Sequence, residues 1–412
     1  MYDEKSGWSN LRTSLASYGD VLRAPGAARP AAGMALASLP IGMLSLAVLL
    51  LVEQAQSSFA AAGLVVGLLG LGTGLGIAIQ GRLIDRVGQS RVLLVAAAVQ
   101  SAALVILIAS VHYRAESWVL AASAFAAGAG EPQVGGSMRG LWNVLVPVDK
   151  RQTATALSSL LFEGPVIVGP LLLAVVLTIA SPTVAVLMCG LFFATGAWVF
   201  ARSTAARQWR SAPRRGTSRW GALASRGVRA VTLIAATQGL VTGLLQVSVA
   251  AFATEHAGAG SAAMLYALLS VGSLLGTVVY GARTWRGSRA VRLSMLLCLL
   301  AGVLGLASIT STVPLLGLAV LAAGLLLGPL AVCCFSLIQD LAPSGALVEA
   351  FTTLTAAGLG AAAGGAAAAG WIVSRTGPAQ SLLVAGAIAL LVGLTLLGVA
   401  RSSPRFPIRP SA

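Results

Sequence analysis

The sequence predicts an all-α membrane protein of twelve transmembrane helices, built as two six-helix pseudo-repeats. Three observations predict it. Of 412 residues, 57% are hydrophobic and only 9% are charged, against roughly 25% charged in soluble domains. A chain this long cannot hide so much apolar surface from water, so it takes lipid as its solvent. Apolar runs of about 20 residues, the length that crosses a hydrocarbon core, recur from end to end. The arginines and lysines gather in alternate connections between those runs.

The spans follow in order. The first half gives 30–52, 57–80, 92–111, 117–139, 153–178 and 183–201, and the second 228–252, 259–281, 291–310, 314–338, 347–372 and 379–400. The fourth is expected to be irregular around Pro132, which brings no backbone donor. Residues 1–29 form a polar N-terminal segment without the apolar stretch of a signal peptide. Residues 202–227 form a basic linker between the bundles 30–201 and 228–400, and 401–412 form a tail. With the N-terminus in the cytoplasm, 24 of the 27 basic residues fall on the cytoplasmic side. Arg114 and Arg375 lie outside, and Arg139 belongs to the fourth span. This is the positive-inside distribution. The regular alternation requires an even number of crossings and places both termini in the cytoplasm, in a cell membrane. The net charge of +15 is spread over alternate loops, which argues against a nucleic-acid surface and suits anionic lipid headgroups.

Several chemistries have no residues to run on. The cysteines Cys189, Cys298, Cys333 and Cys334 lie in apolar runs without CxxC spacing, and the only histidines, His112 and His256, lie in short polar connections. Neither a zinc set nor a Ser-His-Asp triad can be assembled from them. There is no GxxxxGK[ST] loop to hold a nucleotide. No enzyme activity, cofactor or metal is expected, and ATP is not the expected energy source.

The halves repeat each other. GRLIDRVGQSR (81–91) follows the second span and GARTWRGSR (281–289) follows the eighth, their first glycines 200 residues apart. In the first of these, Gly81, Asp85, Arg86, Gly88 and Arg91 stand in the pattern Gly, three residues, Asp-Arg, one residue, Gly, then a basic end. This pattern, in this loop, resembles the signature of the major facilitator superfamily, although Gln89 and Ser90 stand where two basic residues are common. The glycines are expected to allow a tight turn, and Asp85 to face the positive end of a neighbouring helix. The resemblance implies the major facilitator fold. It also implies that the partner of Asp85 is the start of the eleventh helix, Pro343 to Glu349, and that the contact latches one state of a transport cycle. The resemblance pairs helices 2 with 11 and 5 with 8 across the two halves. All four carry glycines, many four residues apart, a spacing that brings helices close in lipid. On helix 5, Gly164, Pro165, Gly169 and Pro170 partly resemble the superfamily's antiporter motif and point toward export.

Ionisable residues inside a bilayer are costly and are candidates for function. Glu131 lies roughly 21 Å along the fourth span and Glu163 roughly 15 Å along the fifth, at 1.5 Å per residue, so both fall near mid-membrane. They are read as proton carriers or as binders of a cationic substrate, with Glu163 in the leading coupling role because Gly164 and Pro165 loosen the helix beside it. Arg139 is a candidate partner for Glu163. In the second half Gln238 and Gln246 lie two turns apart on helix 7, able to bind substrate or to join helices. The leading reading is a proton-coupled secondary exporter of a small, partly apolar molecule, working as a monomer. The alternatives are a nutrient importer or facilitator on the same fold, and a non-transporting receptor or assembly factor.

Overall fold

The computed structural model describes residues 18–209, 225–283, 285, 288–342 and 347–402. Every regular element among them is helical. We number the helices by span: α1 (Ala28–Gln56), α2 (Phe59–Val87), α3 (Gln89–His112), α4a (Ser117–Ala129) with α4b (Val134–Leu145), α5 (Arg151–Ile179) and α6 (Pro182–Ala201). The second half gives α7 (Arg226–Ala257), α8 (Ala259–Gly281), α9 (Arg289–Ser308), α10 (Val313–Leu341), α11 (Leu347–Thr376) and α12 (Pro378–Ser402). Eleven of these are long and apolar enough to cross a membrane. The fourth expected span is the exception, because it is two helices of 13 and 12 residues.

The turns follow local chemistry. Ser58 caps α2 by accepting from the Ala61 N–H, and Ser225 does the same for α7 from Val228. Gly88 (φ 97°) and Gly258 (φ 82°) make the sharp turns into α3 and α8, in a backbone region that glycine enters without steric cost. Pro40 converts the middle of α1 into a 3-10 turn, Leu39–Gly42. Helix α2 runs two turns further than expected, through Gly81 to Val87. Gly81 is therefore helical, and Gly88 alone makes the turn that the sequence divided between two glycines.

Within each half the helices pack closely: α1 on α6, α2 on α4a and α3 on α6 in the first, α8 on α10, α9 on α12 and α7 on α11 in the second. The halves meet along α2 with α11 and α5 with α8, the two pairs that the resemblance implies. The glycines divide their work differently from the expectation. Gly63, Gly67 and Gly70 of α2 lie against Ala363, Ala366 and Gly370 of α11, so this seam is built from small residues. Gly72 and Gly76 instead press on α4a, and Gly358 and Gly365 of α11 sit against α7. Gly169 of α5 meets the 3-10 turn of α1, while Gly272 and Gly276 of α8 meet α10. Their close contacts hold each half together rather than the α5–α8 seam. That seam closes where Gly260 approaches Thr178.

The repeat is visible atom by atom. Gly128 of α4a fits against the Leu69 carbonyl and Thr73 of α2, and Gly324 of α10 fits in the same way against the Leu269 carbonyl and Ser273 of α8. Leu69, Gly72, Thr73 and Gly76 recur as Leu269, Gly272, Ser273 and Gly276, each 200 residues on. The apolar side chains that face outward, among them Leu75, Val95, Leu191, Leu299 and Leu391, are exposed, as helices bathed in lipid require.

Candidate functional site

Helix 4 breaks at Gly130–Gln133. Pro132 has no N–H and its ring crowds the carbonyl four residues back, and it disfavours the helical conformation at Glu131 before it. The Glu131 N–H settles for the Gly128 carbonyl at 3.0 Å, and the Val134 N–H for that of Pro132 at 2.8 Å. A break inside a membrane leaves backbone groups that water cannot reach, each costing several kcal/mol if unpaired.

One side chain from α2 pairs three of them. The Gln80 amide, 4% exposed, donates to the carbonyls of Ala129 at 3.0 Å and Glu131 at 2.8 Å. Its oxygen accepts the Gln133 N–H at 3.2 Å. The Gln133 side chain adds a donor to the Glu131 carbonyl at 3.2 Å. Two turns earlier on the same helix, the Thr73 hydroxyl lies 3.1 Å from Oε2 of Glu131 and 3.2 Å from the carbonyl of Leu69. A hydroxyl has one proton, so Thr73 can donate to only one of these at a time. Against an ionised Glu131 it donates to the carboxylate. Against a protonated one it can accept from the carboxyl and turn its own proton to Leu69.

The other predicted residues are placed as follows. Arg139 lies in the middle of α4b and is exposed, and no hydrogen bond or ion pair joins it to Glu131 among the described residues. For Glu163 the structure gives the backbone alone, in α5 with Pro165 and Pro170 inside the same helix. Gly164 has open space around its α-carbon. The Gln238 amide donates to the Leu327 carbonyl of α10 at 3.1 Å, so it joins helices, and Gln246 is half-buried on the same helix. Asp85, Arg86 and Arg91 are exposed at the α2–α3 turn. Most of the stretch expected to meet Asp85, residues 343–346, lies outside the described residues.

Sequence reasoning missed Thr73, Gln80 and Gln133. A signal was there for the first two: they are the only polar side chains between Phe59 and Gly81, and they stand seven residues apart on one face of α2.

The family model of the Major Facilitator Superfamily matches residues 31–353. The fold is also that of solved transporters. The human organic anion transporter MFSD10 (TETRAN) superposes with a TM-score of 0.62 at 16% identity, over 90% of this chain and 98% of that one. A POT family transporter in complex with a thioalcohol-conjugated peptide gives 0.71 at 11% identity, over 90% and 96%. A variant of the nucleoside transporter NupG gives 0.71 at 11% identity, over 90% and 98%. Among curated proteins none matches this chain.

Proposed function

The chain belongs to the major facilitator superfamily, and on that premise we propose that it is a proton-coupled secondary transporter that exports a small, partly apolar molecule by alternating access. Members of the family are transporters and not enzymes, and the chain is a multi-pass membrane protein with a small-molecule substrate. Direction, coupling ion and the cytoplasmic placement of both termini are part of the proposal. The basic loops support the topology, and the Gly-Pro pairs of α5 support export.

The observation that carries the coupling is the carboxylate of Glu131 at the break between α4a and α4b, facing the hydroxyl of Thr73 at 3.1 Å. Buried carboxylates in membranes serve as proton relays, and the two settings of the Thr73 hydroxyl accommodate both protonation states without moving a helix. The carbonyls of Ala129 and Glu131 are already engaged by Gln80 and Gln133, which supports a proton over a metal cation as the coupling ion. Glu131 therefore takes the leading role that the sequence assigned to Glu163, and Glu163 becomes the second carboxylate.

Vesicles with an imposed pH gradient test this. Glu131→Gln, which resembles the protonated form, is expected to abolish gradient-driven accumulation and to retain substrate exchange at equilibrium. Glu163→Gln is expected to weaken accumulation less. If Glu163→Gln removes the response and Glu131→Gln keeps it, the roles are reversed. If neither does, the protein is a facilitator or uses another ion.

A further inference from the structure

We propose that Gln80 is the positioning residue of this site: it holds helix 4 open at Glu131 and ties the break to the helix that carries the 81–91 loop. The transport part of the proposal rests on the reading of Glu131 as the proton carrier, whereas the structural part does not.

The argument is one of hydrogen-bond capacity. A glutamine amide has two donor protons and an acceptor oxygen. Gln80 spends both protons on the Ala129 and Glu131 carbonyls and accepts the Gln133 N–H, so one side chain bridges the end of α4a, the break and the entry to α4b. Asparagine is shorter by one methylene and cannot span all three. Glutamate keeps the acceptor but lacks both donors. Leucine or methionine would leave three backbone groups unpaired where water is scarce. Gln80 is followed at once by Gly81, and seven residues separate it from Thr73, so both ends of the Glu131 cradle belong to one rigid helix. The same helix rides on α11 through Gly63, Gly67 and Gly70. A shift of α2 against α11 therefore moves the Glu131 backbone through Gln80 and its carboxylate partner through Thr73 together. The carboxylate keeps its hydroxyl while its surroundings change. The second half shows the contrast: Tyr280 holds the place of Gln80 and reaches the sulfur of Cys333, and α10 is continuous.

Hydrogen exchange on the full chain in lipid nanodiscs tests the clamp, and vesicle transport tests its use. Gln80→Met, close to glutamine in shape, is expected to raise amide exchange across residues 130–134 about tenfold, the effect of losing roughly one net hydrogen bond. Glu131→Gln is expected to leave that exchange within about twofold, because the clamp holds backbone atoms. Unchanged exchange in Gln80→Met overturns the clamp. At equal amounts in the membrane, Gln80→Met is expected to retain equilibrium substrate exchange and to lose about nine-tenths of the pH-gradient response, an effect of the same size. If amide exchange rises and the gradient response is untouched, Gln80 supports the fold only and the proposal fails. The response of Glu131→Gln then reports separately whether the carboxylate reading survives. Should Gln80→Met not reach the membrane, Gln80→Glu serves in its place, since it keeps the acceptor for Gln133.

Discussion

Thr73 and Gln80 show what a single residue can decide in a lipid solvent. Their partners lie 58 and 51 residues away in sequence, so no local pattern announces the contact. Glu131 was legible because a charge in an apolar run stands out. What holds it was legible only as a polar strip on one face of α2, because a hydroxyl and an amide in a helix do not name the neighbour they serve. Glycines obey the same rule. Gly243 of α7 packs so closely on α11 that a methyl group there would overlap the Ala362 carbonyl, whereas the same group on Gly74 would meet nothing within 4 Å. Gly243→Ala is expected to force α7 and α11 apart and cost about 1–3 kcal/mol, seen as a lower unfolding temperature in detergent. Gly74→Ala is expected to be neutral or to stabilise by up to about 1 kcal/mol through helix propensity. Equal behaviour of the two would refute the assigned packing.

At the scale of elements, the helices were largely legible. Length and apolarity place eleven of them to within a turn or two at most ends, since each must satisfy its own backbone in lipid. The fourth is the informative failure. An apolar run continues through 117–129 and resumes after 133, so hydropathy reads one helix. Gly130 and Pro132 interrupt it, and Gln80 makes the interruption tolerable. Helix α2 serves four purposes: its glycines face α11, its next glycines face α4a, its two polar residues hold the break, and its last turn carries Asp85. Asp85→Asn is expected to lower the transport rate about tenfold, the loss of a charged interaction of roughly 1.4 kcal/mol. The amount of folded protein in the membrane is expected to stay unchanged. Normal transport by this variant would remove the latch from the mechanism, and loss of the protein would assign Asp85 to folding.

For the whole molecule, both seams between the halves are in contact at the end that carries the turns at 57–58 and 258. Gly63 and Gly370 meet there along one seam, and Thr178 and Gly260 along the other. The proposed alternating access requires that end to open. In a background without Cys189, Cys298, Cys333 and Cys334, a disulfide between Thr178→Cys and Gly260→Cys is expected to stop transport, and reduction to restore it. Full transport with the bridge intact would show that these ends need not part. The two halves share one packing register, yet Leu327 stands in α10 where Glu131 stands in the first half, counted from Gly324 and Gly128. Under the proposed proton coupling, that asymmetry sets a ceiling on the work the molecule can do. A single exchangeable carboxylate moves one proton per turnover, and a tenfold proton gradient is worth about 1.4 kcal/mol. Each pH unit can then sustain at most about a tenfold ratio of an uncharged substrate. A measured slope near two decades per pH unit, at zero membrane potential, would mean that Glu163 carries a second proton.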